Sequence, residues 1–376
     1  MTNPYPFTPF ELEYYQSQFE NTVEYNLADS SVKCVTTREW LSEDEIEALL
    51  NTGLFYPEVN GTRQLRESIA ALYPGGHPDR VLVTVGASQA NSLICSTLLQ
   101  PGDEVVVLSP GYRQVWGLAR NAGCTVKELP LEEANGWRLD LDLLDELVTE
   151  RTKLVAIVNP NNPTGTILTI EEMRRVVAAC ARVGAWLHAD EVYCGTELHK
   201  DDETPSFYGM YDKAICTSSL SKAYGLSGLR IGWAIASDEL TAALWRRHEY
   251  AVIAAAAPSM TLAMIALQPA KRRELLARQK QIARAGWQVI ERWLAQHNGL
   301  FTAHTPAATS IAFVGYNLPL SSLELTERIR QECSVLLAPG GYLGAEQHLR
   351  ITFGYEPAKI QAALDRVSAV VDRLVA

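Results

Sequence analysis

Apolar and polar positions follow two patterns that alternate along most of the chain. Short, mostly apolar runs predict buried strands at residues 81–85, 104–108, 125–129, 153–158, 186–189 and 214–217. Apolar positions recurring every three or four residues predict helices at residues 62–73, 87–99, 111–121, 141–147 and 170–183. Apolar strands interleaved with helices predict an α/β fold, in which helices cover both faces of a mostly parallel sheet.

The pattern changes after about residue 265. A long charged helix is predicted at 270–296, followed by strands at 310–314 and 349–353 and helices at 323–332 and 357–374. These elements predict a smaller α+β domain at 266–376, beside a large domain at 41–265. A chain of 376 residues is long for a single core. Residues 1–40 are interpreted as an arm with little regular structure that packs with the small domain.

Composition and charge narrow the classes of partner. The formal net charge of −11 argues against nucleic acid or an anionic membrane as the main partner. Seven cysteines without a Cys-x-x-Cys pair indicate a reducing, cytoplasmic location and no metal site. The first residues have neither a basic nor an apolar stretch, so no signal peptide is expected. No segment has the apolar length that a membrane span requires.

Lys222 is the first candidate for chemistry. It lies in a loop rich in serine and glycine between apolar runs at 213–217 and 231–235, with Arg230 eight positions later. A desolvated lysine amine forms Schiff bases with aldehydes, and hydroxyl groups with a guanidinium can bind phosphate. A lysine in a polar loop is more often a surface residue, so Lys222 needs support from other motifs.

Three further motifs follow predicted strands. Gly86, Ala87 and Ser88 open a helix, where free N–H groups can bind phosphate; the alternative is an ordinary strand end and helix cap. Asn162 lies in a rigid turn that either contacts a ligand or is only a turn. Asp190 follows an apolar strand, with Tyr193 nearby, and could pair with a protonated ring nitrogen or serve as a cap.

Arg350 lies inside the predicted strand at 349–353. Because a buried charge without a partner is costly, its guanidinium requires an anion. An internal salt bridge and a substrate carboxylate remain equally good interpretations at this stage.

Together these stretches resemble the fold-type I pyridoxal-phosphate enzymes, and specifically the class I/II aminotransferase family. The resemblance covers nearly the whole chain, from Asn26 to Arg350. It implies that Lys222 forms the Schiff base with the cofactor pyridoxal 5'-phosphate and carries a proton between the substrate Cα and the cofactor. It also implies that Asp190 pairs with the pyridinium nitrogen, and that Asn162 and Tyr193 bind the ring oxygen.

The resemblance assigns the remaining positions as well. It implies a phosphate site formed by Gly86, Ala87, Ser88, Ser219 and Arg230. Tyr112 would stack on the pyridine ring, and Arg350 would bind the substrate α-carboxylate. Tyr56 would reach the cofactor phosphate of a neighbouring subunit, which implies a homodimer with shared active sites.

Two departures from the family pattern concern the substrate. Relatives often have glycine near Ser30, in the stretch over the substrate, whereas this chain has serine there. Residues 252–258 contain no arginine, although dicarboxylate-specific relatives place a second arginine nearby. Substrate contacts at Ser30 therefore stay open, and we expect an amino donor other than aspartate or glutamate.

The activity that the resemblance implies is transfer of an α-amino group from an amino acid to a 2-oxo acid. Elimination, replacement, cyclisation, decarboxylation or oxidation of the same bound amino acid remain alternatives, because bond choice depends on pocket geometry. The ligand-sensing domain of a transcription regulator is a third interpretation. It would require an added helix-turn-helix domain, for which the short arm leaves no room.

Overall fold

The computed structural model describes residues 7–375 of the chain. Its helices are α1 (Glu11–Phe19), α2 (Thr37–Trp40), α3 (Glu43–Leu50), α4 (Arg63–Ala70), α5 (Gly86–Leu98), α6 (Gln114–Asn121), α7 (Leu141–Leu147), α8 (Ile170–Val183), α9 (Asp238–Ala251), α10 (Ala257–Ala266), α11 (Pro269–Gln296), α12 (Ser322–Cys333) and α13 (Pro357–Val375). Its strands are β1 (Tyr25–Asn26), β2 (Val81–Val85), β3 (Glu104–Ser109), β4 (Thr125–Pro130), β5 (Thr152–Val158), β6 (Trp186–Asp190), β7 (Ala214–Ser219), β8 (Ile231–Ile235), β9 (Phe301–Ala303), β10 (Ile311–Tyr316), β11 (Val335–Leu336), β12 (Ala338–Pro339) and β13 (His348–Thr352).

The large sheet has seven strands in the order β2-β8-β7-β6-β5-β3-β4. β8 runs antiparallel to both of its neighbours, and the remaining pairs are parallel. Val105 and Val106 of β3 point to opposite faces, as do Leu154 and Val155 of β5, and all four are buried. Both faces of the sheet are therefore covered, and the predicted α/β fold is confirmed.

Local chemistry fixes the ends of α8, which covers β6. Thr169 and Glu172 form a capping box, in which each side chain accepts the backbone N–H of the other residue. Met173 and Val176 follow at helical spacing and are fully buried. Gly184 ends the helix with a φ of 72°, in the left-handed region that favours glycine. The chain then enters β6, whose carboxyl end carries a functional candidate.

A second, antiparallel sheet has the strand order β12-β13-β10-β9. Its core contains apolar side chains from this sheet and from α11 and α13, among them Trp293, Val314 and Val367. β1 pairs in parallel with β11, with Tyr25 opposite Val335. The chain near residue 25 is therefore attached to elements near the C-terminus. The division into an arm, a large domain and a small domain stays a prediction.

The expectation of little regular structure in residues 1–40 is wrong for α1 and α2; residues 1–6 lie outside the described residues. Leu12 and Tyr15 are buried at helical spacing, whereas the adjacent Tyr14 is 61% exposed. Because the exposed Tyr14 is as aromatic as the buried Tyr15, the spacing of buried positions in this helix cannot be recognised from the sequence. A second signal was present, because Thr36 and Glu39 form a capping box at the start of α2.

Two further differences concern helices of the large domain region. The helix predicted at 111–121 begins at Gln114, because the N–H of Gly111 donates instead to the carbonyl of Leu343, at 2.9 Å. The sequence prediction also lacks α9 and α10. Helix α10 is apolar on nearly all sides, so no apolar–polar period marks it. No helix within residues 7–375 is long and apolar enough to cross a membrane.

Candidate active site

A cavity of about 210 Å³ opens at the carboxyl ends of the parallel strands of the large sheet. Parallel α/β sheets bind ligands at this edge, where loops from neighbouring strands converge. Predicted site residues that line it are Ser30, Ala87, Ser88, Tyr112, Asn162, Asp190, Tyr193, Ser219, Lys222 and Arg230. Residues that the sequence reasoning missed also line it, namely Glu13, Asn91, Gln114, Val158, Val192, Ser221 and Ser227.

The amine of Lys222 follows strand β7 and is held by two hydroxyl groups. Its Nζ donates to Oγ of Ser30 at 2.8 Å and to Oγ of Ser31 at 3.3 Å. Both serines are buried, with 8% and 4% of their surface exposed. No carboxylate among residues 7–375 forms an ion pair with this amine. Lys222 is therefore positioned by weak neutral partners that leave the amine available to react.

Asp190 is a buried carboxylate at the end of β6. Its Oδ2 accepts from Nδ2 of Asn91 at 3.0 Å, and its Oδ1 accepts from the N–H of Val192 at 3.3 Å. Burial raises the pKa of Asp190, while the hydrogen bonds from Asn91 and Val192 and the charge of Lys222 act in the opposite direction. A cation beside this carboxylate would stabilise its ionised form.

The hydrogen bonds continue behind Asp190. Thr217 donates from Oγ1 to Oδ1 of Asn91 at 3.0 Å, and the same hydroxyl lies 3.0 Å from Nε2 of His188. Burial lowers the pKa of His188 to about 4, so its ring is neutral near pH 7. Asn91 is thus fixed on both sides of its amide. The sequence offered one signal for it, a polar residue on the buried face of α5.

The start of α5 forms a cradle with Arg230. Gly86 has a φ of 74°, and a Cβ at this position would lie 2.3 Å from Nη2 of Arg230. Likewise, a Cβ on Gly232 would lie 2.4 Å from the backbone nitrogen of Ala87. The N-cap residue of this helix, Val85, provides no side-chain hydrogen bond to it. Glycine at 86 and 232 therefore lets the guanidinium lie against the start of a helix whose first N–H groups can bind an anion, an arrangement that suits a phosphate group.

Arg350 lies deep in β13, with 1% of its surface exposed. Its Nη1 donates to Oδ1 of Asn162 at 3.2 Å, and its Nη2 donates to the carbonyl of Ala28 at 2.6 Å. Nε is buried without a partner, and no carboxylate in residues 7–375 pairs with the guanidinium. The salt-bridge interpretation is therefore not supported within residues 7–375, and the charge of the guanidinium is left for an anion from outside this part of the chain.

Asn162 connects Arg350 to Tyr193. The Nδ2 of Asn162 donates to the Tyr193 hydroxyl at 3.4 Å, and that hydroxyl donates to the carbonyl of Ser30 at 3.3 Å. Asn162 and Tyr193 are 3% and 2% exposed. These bonds bring the Asn162 turn, the residues after β6 and the Ser30 segment into one layer of the site.

Tyr112 and Tyr56 occupy contrasting positions. Tyr112 lines the cavity; its hydroxyl donates to Oε1 of Glu13 at 2.9 Å, and its ring meets the ring of Phe10 edge-on at 5.0 Å. Burial and the Glu13 carboxylate hold the pKa of this phenol well above its usual range. Tyr56 is 80% exposed and does not line the cavity of its own chain.

Comparison with known families agrees with the resemblance that the sequence motifs indicated. Residues 24–367 match the family described as aminotransferase class I and II. The chain belongs to this family. It is an enzyme that depends on pyridoxal 5'-phosphate, as this family does, and its architecture is that of the fold-type I enzymes.

Three relatives illustrate the range of the family. The aminotransferase is 30% identical to capreomycidine synthase of Streptomyces vinaceus, over 82% of this chain and 78% of that protein. A pyridoxal-phosphate-dependent aminotransferase of Streptococcus suis 89-1591 superimposes with a TM-score of 0.91, at 31% identity, covering 98% of this chain and 99% of the other. A pyridoxal-phosphate-dependent cyclase, OrfR, has a TM-score of 0.88 and 27% identity, with 99% of each chain covered.

The chemistry of the cavity fits this cofactor. A buried carboxylate, a reactive amine and a phosphate-sized cradle lie around one space, as a charged pyridine ring with an aldehyde and a phosphate requires. Asp190 would hold the ring nitrogen, Asn162 and Tyr193 the ring oxygen, and Arg230 with Ala87, Ser88 and Ser219 the phosphate. Tyr112 would cover the ring. Among residues 7–375 no cluster of side chains could hold a metal ion.

Proposed function

We propose that this aminotransferase moves the α-amino group of an L-amino acid, other than aspartate or glutamate, to a 2-oxo acid. The observation that supports the proposal is the buried guanidinium of Arg350, which has an unpartnered Nε and no acidic partner in residues 7–375. Both substrates of a transamination carry an α-carboxylate, and a guanidinium binds a carboxylate through paired charge-assisted hydrogen bonds. The absence of an arginine in residues 252–258 is the reason for excluding a dicarboxylate donor.

In the proposed reaction, each residue acts on a stated atom. Bound pyridoxal phosphate supplies an aldehyde carbon that accepts amines and a protonated ring that withdraws electrons. Arg350 binds the carboxylate of the substrate and, through Asn162, is fixed relative to Tyr193. Nζ of Lys222 accepts the proton from the substrate Cα. Asp190, with its bonds from Asn91 and Val192, presents a fixed negative charge to the ring nitrogen.

The experiment is a half-reaction followed by absorbance. Amino acids are added singly to the purified holoenzyme without any oxo acid, and the cofactor spectrum and released products are recorded. A transaminase converts one equivalent of amino acid to its oxo acid and stops, and a 2-oxo acid then restores the initial spectrum. Consumption of many equivalents without an oxo acid would contradict the proposal.

A second candidate is a reaction that rebuilds the amino acid, such as cyclisation. It is favoured by the similarity to a capreomycidine synthase and to a pyridoxal-phosphate-dependent cyclase. The same residues would bind the carboxylate and remove the Cα proton, because both reactions begin by weakening a bond to Cα. The two candidates differ in the half-reaction, since a cyclase turns over repeatedly and releases no oxo acid.

We further propose a homodimer in which Tyr56 reaches the cofactor phosphate of the partner subunit. Support comes from the exposure of large apolar residues near it, with Leu54 at 90% and Phe55 at 70%. Tyr250, at the end of α9, is 96% exposed. Val59 and Trp245 line one surface cavity, so the two segments are neighbours. Extended apolar surface of this kind is typical of a subunit interface.

Domain division and location remain part of the proposal. Domains at 41–265 and 266–376 are supported by two apolar clusters, one mainly around the large sheet and one mainly around the second sheet, although Phe313 and Leu343 belong to the first. The seven cysteines are free thiols, which supports a reducing compartment such as the cytoplasm. Fractionation of the producing cell, with the enzyme detected by antibody, tests the location.

A further inference from the structure

The charged groups of the active-site cavity can be matched one by one to the cofactor and to the α-carboxylate. In the proposed function Asp190, Lys222 and Arg230 contact the ring nitrogen, the aldehyde and the phosphate. Arg350, which does not itself line the cavity but is bonded to the lining residue Asn162, binds the carboxylate. One charged group that lines the cavity remains without a role, the carboxylate of Glu13. The substrate side chain is the remaining part of the reactants that has no assigned contact.

Glu13 lies on α1, which places it over the cavity. Its Oε1 accepts the hydroxyl proton of Tyr112 at 2.9 Å, so the carboxylate is fixed beside the ring that covers the cofactor site. No lysine, arginine or histidine in residues 7–375 forms an ion pair with Glu13. A carboxylate oriented in this way at a substrate cavity, with one oxygen uncommitted, is an acceptor for a cation.

Two further carboxylates increase the negative charge around Glu13. Partial burial raises the pKa of Glu20, and repulsion from the carboxylates of Asp29 and Glu13 raises it further. The Oδ1 of Asp29 accepts the N–H groups of Ser30 and Ser31 at 2.6 and 3.1 Å, next to the hydroxyl groups that hold Lys222. Neither Glu20 nor Asp29 has a basic partner among the described residues. The repulsion that Glu20 experiences from Glu13 and Asp29 is reduced when a cation binds to either of them.

We propose that Glu13 binds the positively charged end of the substrate side chain, so that the amino donors are L-amino acids with a side-chain ammonium or guanidinium group. This inference rests on the proposed function, because it assumes that an amino acid occupies the cavity with its carboxylate on Arg350. Glu20 and Asp29 add long-range attraction, and Glu13 supplies the direct contact. The chain thus recognises the two ends of its substrate by opposite charges.

The test compares ligands of nearly equal shape that differ in charge. Arginine is paired with citrulline, and lysine with norleucine. Binding to the holoenzyme is measured from the change in cofactor absorbance during the first turnover, without an oxo acid. A charge-assisted hydrogen bond at a partly exposed site predicts that arginine and lysine bind about tenfold more tightly than their neutral partners. The ratio should fall as ionic strength rises.

Variants locate the effect on one side chain. Glu13→Gln keeps an acceptor for the Tyr112 hydroxyl but removes the charge, and it should reduce the arginine-to-citrulline ratio to about one without changing cofactor content. Glu11→Gln removes an exposed carboxylate on the same helix that does not line the cavity, and it should leave the ratio unchanged. Tyr112→Phe removes the hydrogen bond and keeps the charge, so the ratio should survive even where the cofactor is held less firmly.

The outcomes separate this inference from the proposed function. Equal binding of arginine and citrulline to the unmodified enzyme would overturn the inference and leave transamination of neutral amino acids in place. An unchanged arginine-to-citrulline ratio in Glu13→Gln would likewise overturn the inference, because the charge preference would then arise from another group. If no amino acid of either kind changes the cofactor spectrum, the proposed function itself fails.

Discussion

Asn91 donates a 3.0 Å hydrogen bond from Nδ2 to Oδ2 of Asp190, across 99 residues of sequence. Its amide oxygen is fixed by Thr217, so the orientation of the amide is determined. Asn91 is therefore a positioning residue for the carboxylate of Asp190, which in the proposed function faces the cofactor ring.

Replacing Asn91 by Ala should lower kcat through Asp190. Since the hydrogen bond from Asn91 lowers the pKa of Asp190, its loss raises that pKa further. At a given pH less of the carboxylate is ionised, and the acidic limb of the kcat profile should move to higher pH. A lost charge-assisted bond of about 1.5–3 kcal/mol corresponds to roughly ten- to hundredfold in rate. Ser96→Ala, which affects a local bond on the same helix, is the control and should keep the wild-type profile.

Lys222 should be the site of covalent cofactor attachment. Borohydride treatment of the purified yellow enzyme should fix the cofactor irreversibly, and peptide mapping should find it on Lys222. Lys222→Ala should retain the fold, because the lysine bonds only to the hydroxyl groups of Ser30 and Ser31. A reducible adduct on another lysine of Lys222→Ala would contradict the assignment.

Arg350→Ala should raise KM for the amino acid and for the oxo acid together. Both substrates present an α-carboxylate to the same guanidinium, so kcat/KM should fall about ten- to hundredfold in each direction. Cofactor content is the control, because it shows whether loss of the Arg350 bond to Asn162 disturbs the cofactor site. An increase confined to one substrate would show that the two carboxylates bind at different places.

Tyr56 provides a test of the homodimer by complementation. Tyr56→Phe should weaken cofactor binding, and Lys222→Ala should abolish activity. When the two variant chains are mixed, each heterodimer contains one site with both Lys222 and Tyr56, so activity should return. Sedimentation at micromolar concentration should give a dimer; a fully active monomer would exclude shared sites.

Glu191 offers a prediction about stability and pH. Burial raises the pKa of its carboxyl to about 7, although Ser206 and the N–H of Phe207 act against this. Below a pH of about 4.5 the group is protonated in both the folded and the unfolded states. As pH rises towards 7, the unfolded chain ionises first and the folded state loses relative stability. Glu191→Gln should therefore have a Tm advantage that grows from pH 5 to pH 8, whereas the exposed Glu274→Gln should show none.

Sequence patterns predicted six of the seven strands of the large sheet, because its central strands are buried on both faces and appear in the sequence as short apolar runs. Strand β8 was recognised only as an apolar run at 231–235. The family resemblance assigned Lys222, Asp190, Asn162 and Arg230 to one site, and all four line the same cavity at the edge of the sheet where loops after parallel strands meet. Their individual roles stay predictions. The motifs at strand ends are local in sequence, and for that reason they can be recognised without a structure.

Contacts between residues far apart in the chain could not be predicted from the sequence. Glu13 meets Tyr112 across 99 residues, and Arg350 meets the carbonyl of Ala28 across 322 residues. Neither pairing produces a local sequence pattern, because each depends on where the fold places α1 and the residues after β1. An arm with little regular structure, as predicted for residues 1–40, gives no indication that Glu13 lines the cavity.

The segment from Asn26 to Ser31 links strand β11 to the amine of Lys222. At one end the chain pairs with Leu336, and at the other the hydroxyl of Ser30 accepts from Lys222. The four peptide units between Asn26 and Ser30 span at most about 14 Å. Because the segment cannot stretch beyond this length, a larger displacement of β11 from Lys222 would pull Ser30 away from the amine. Displacement of β11 and loss of the hydrogen bond between Ser30 and Lys222 would then occur together.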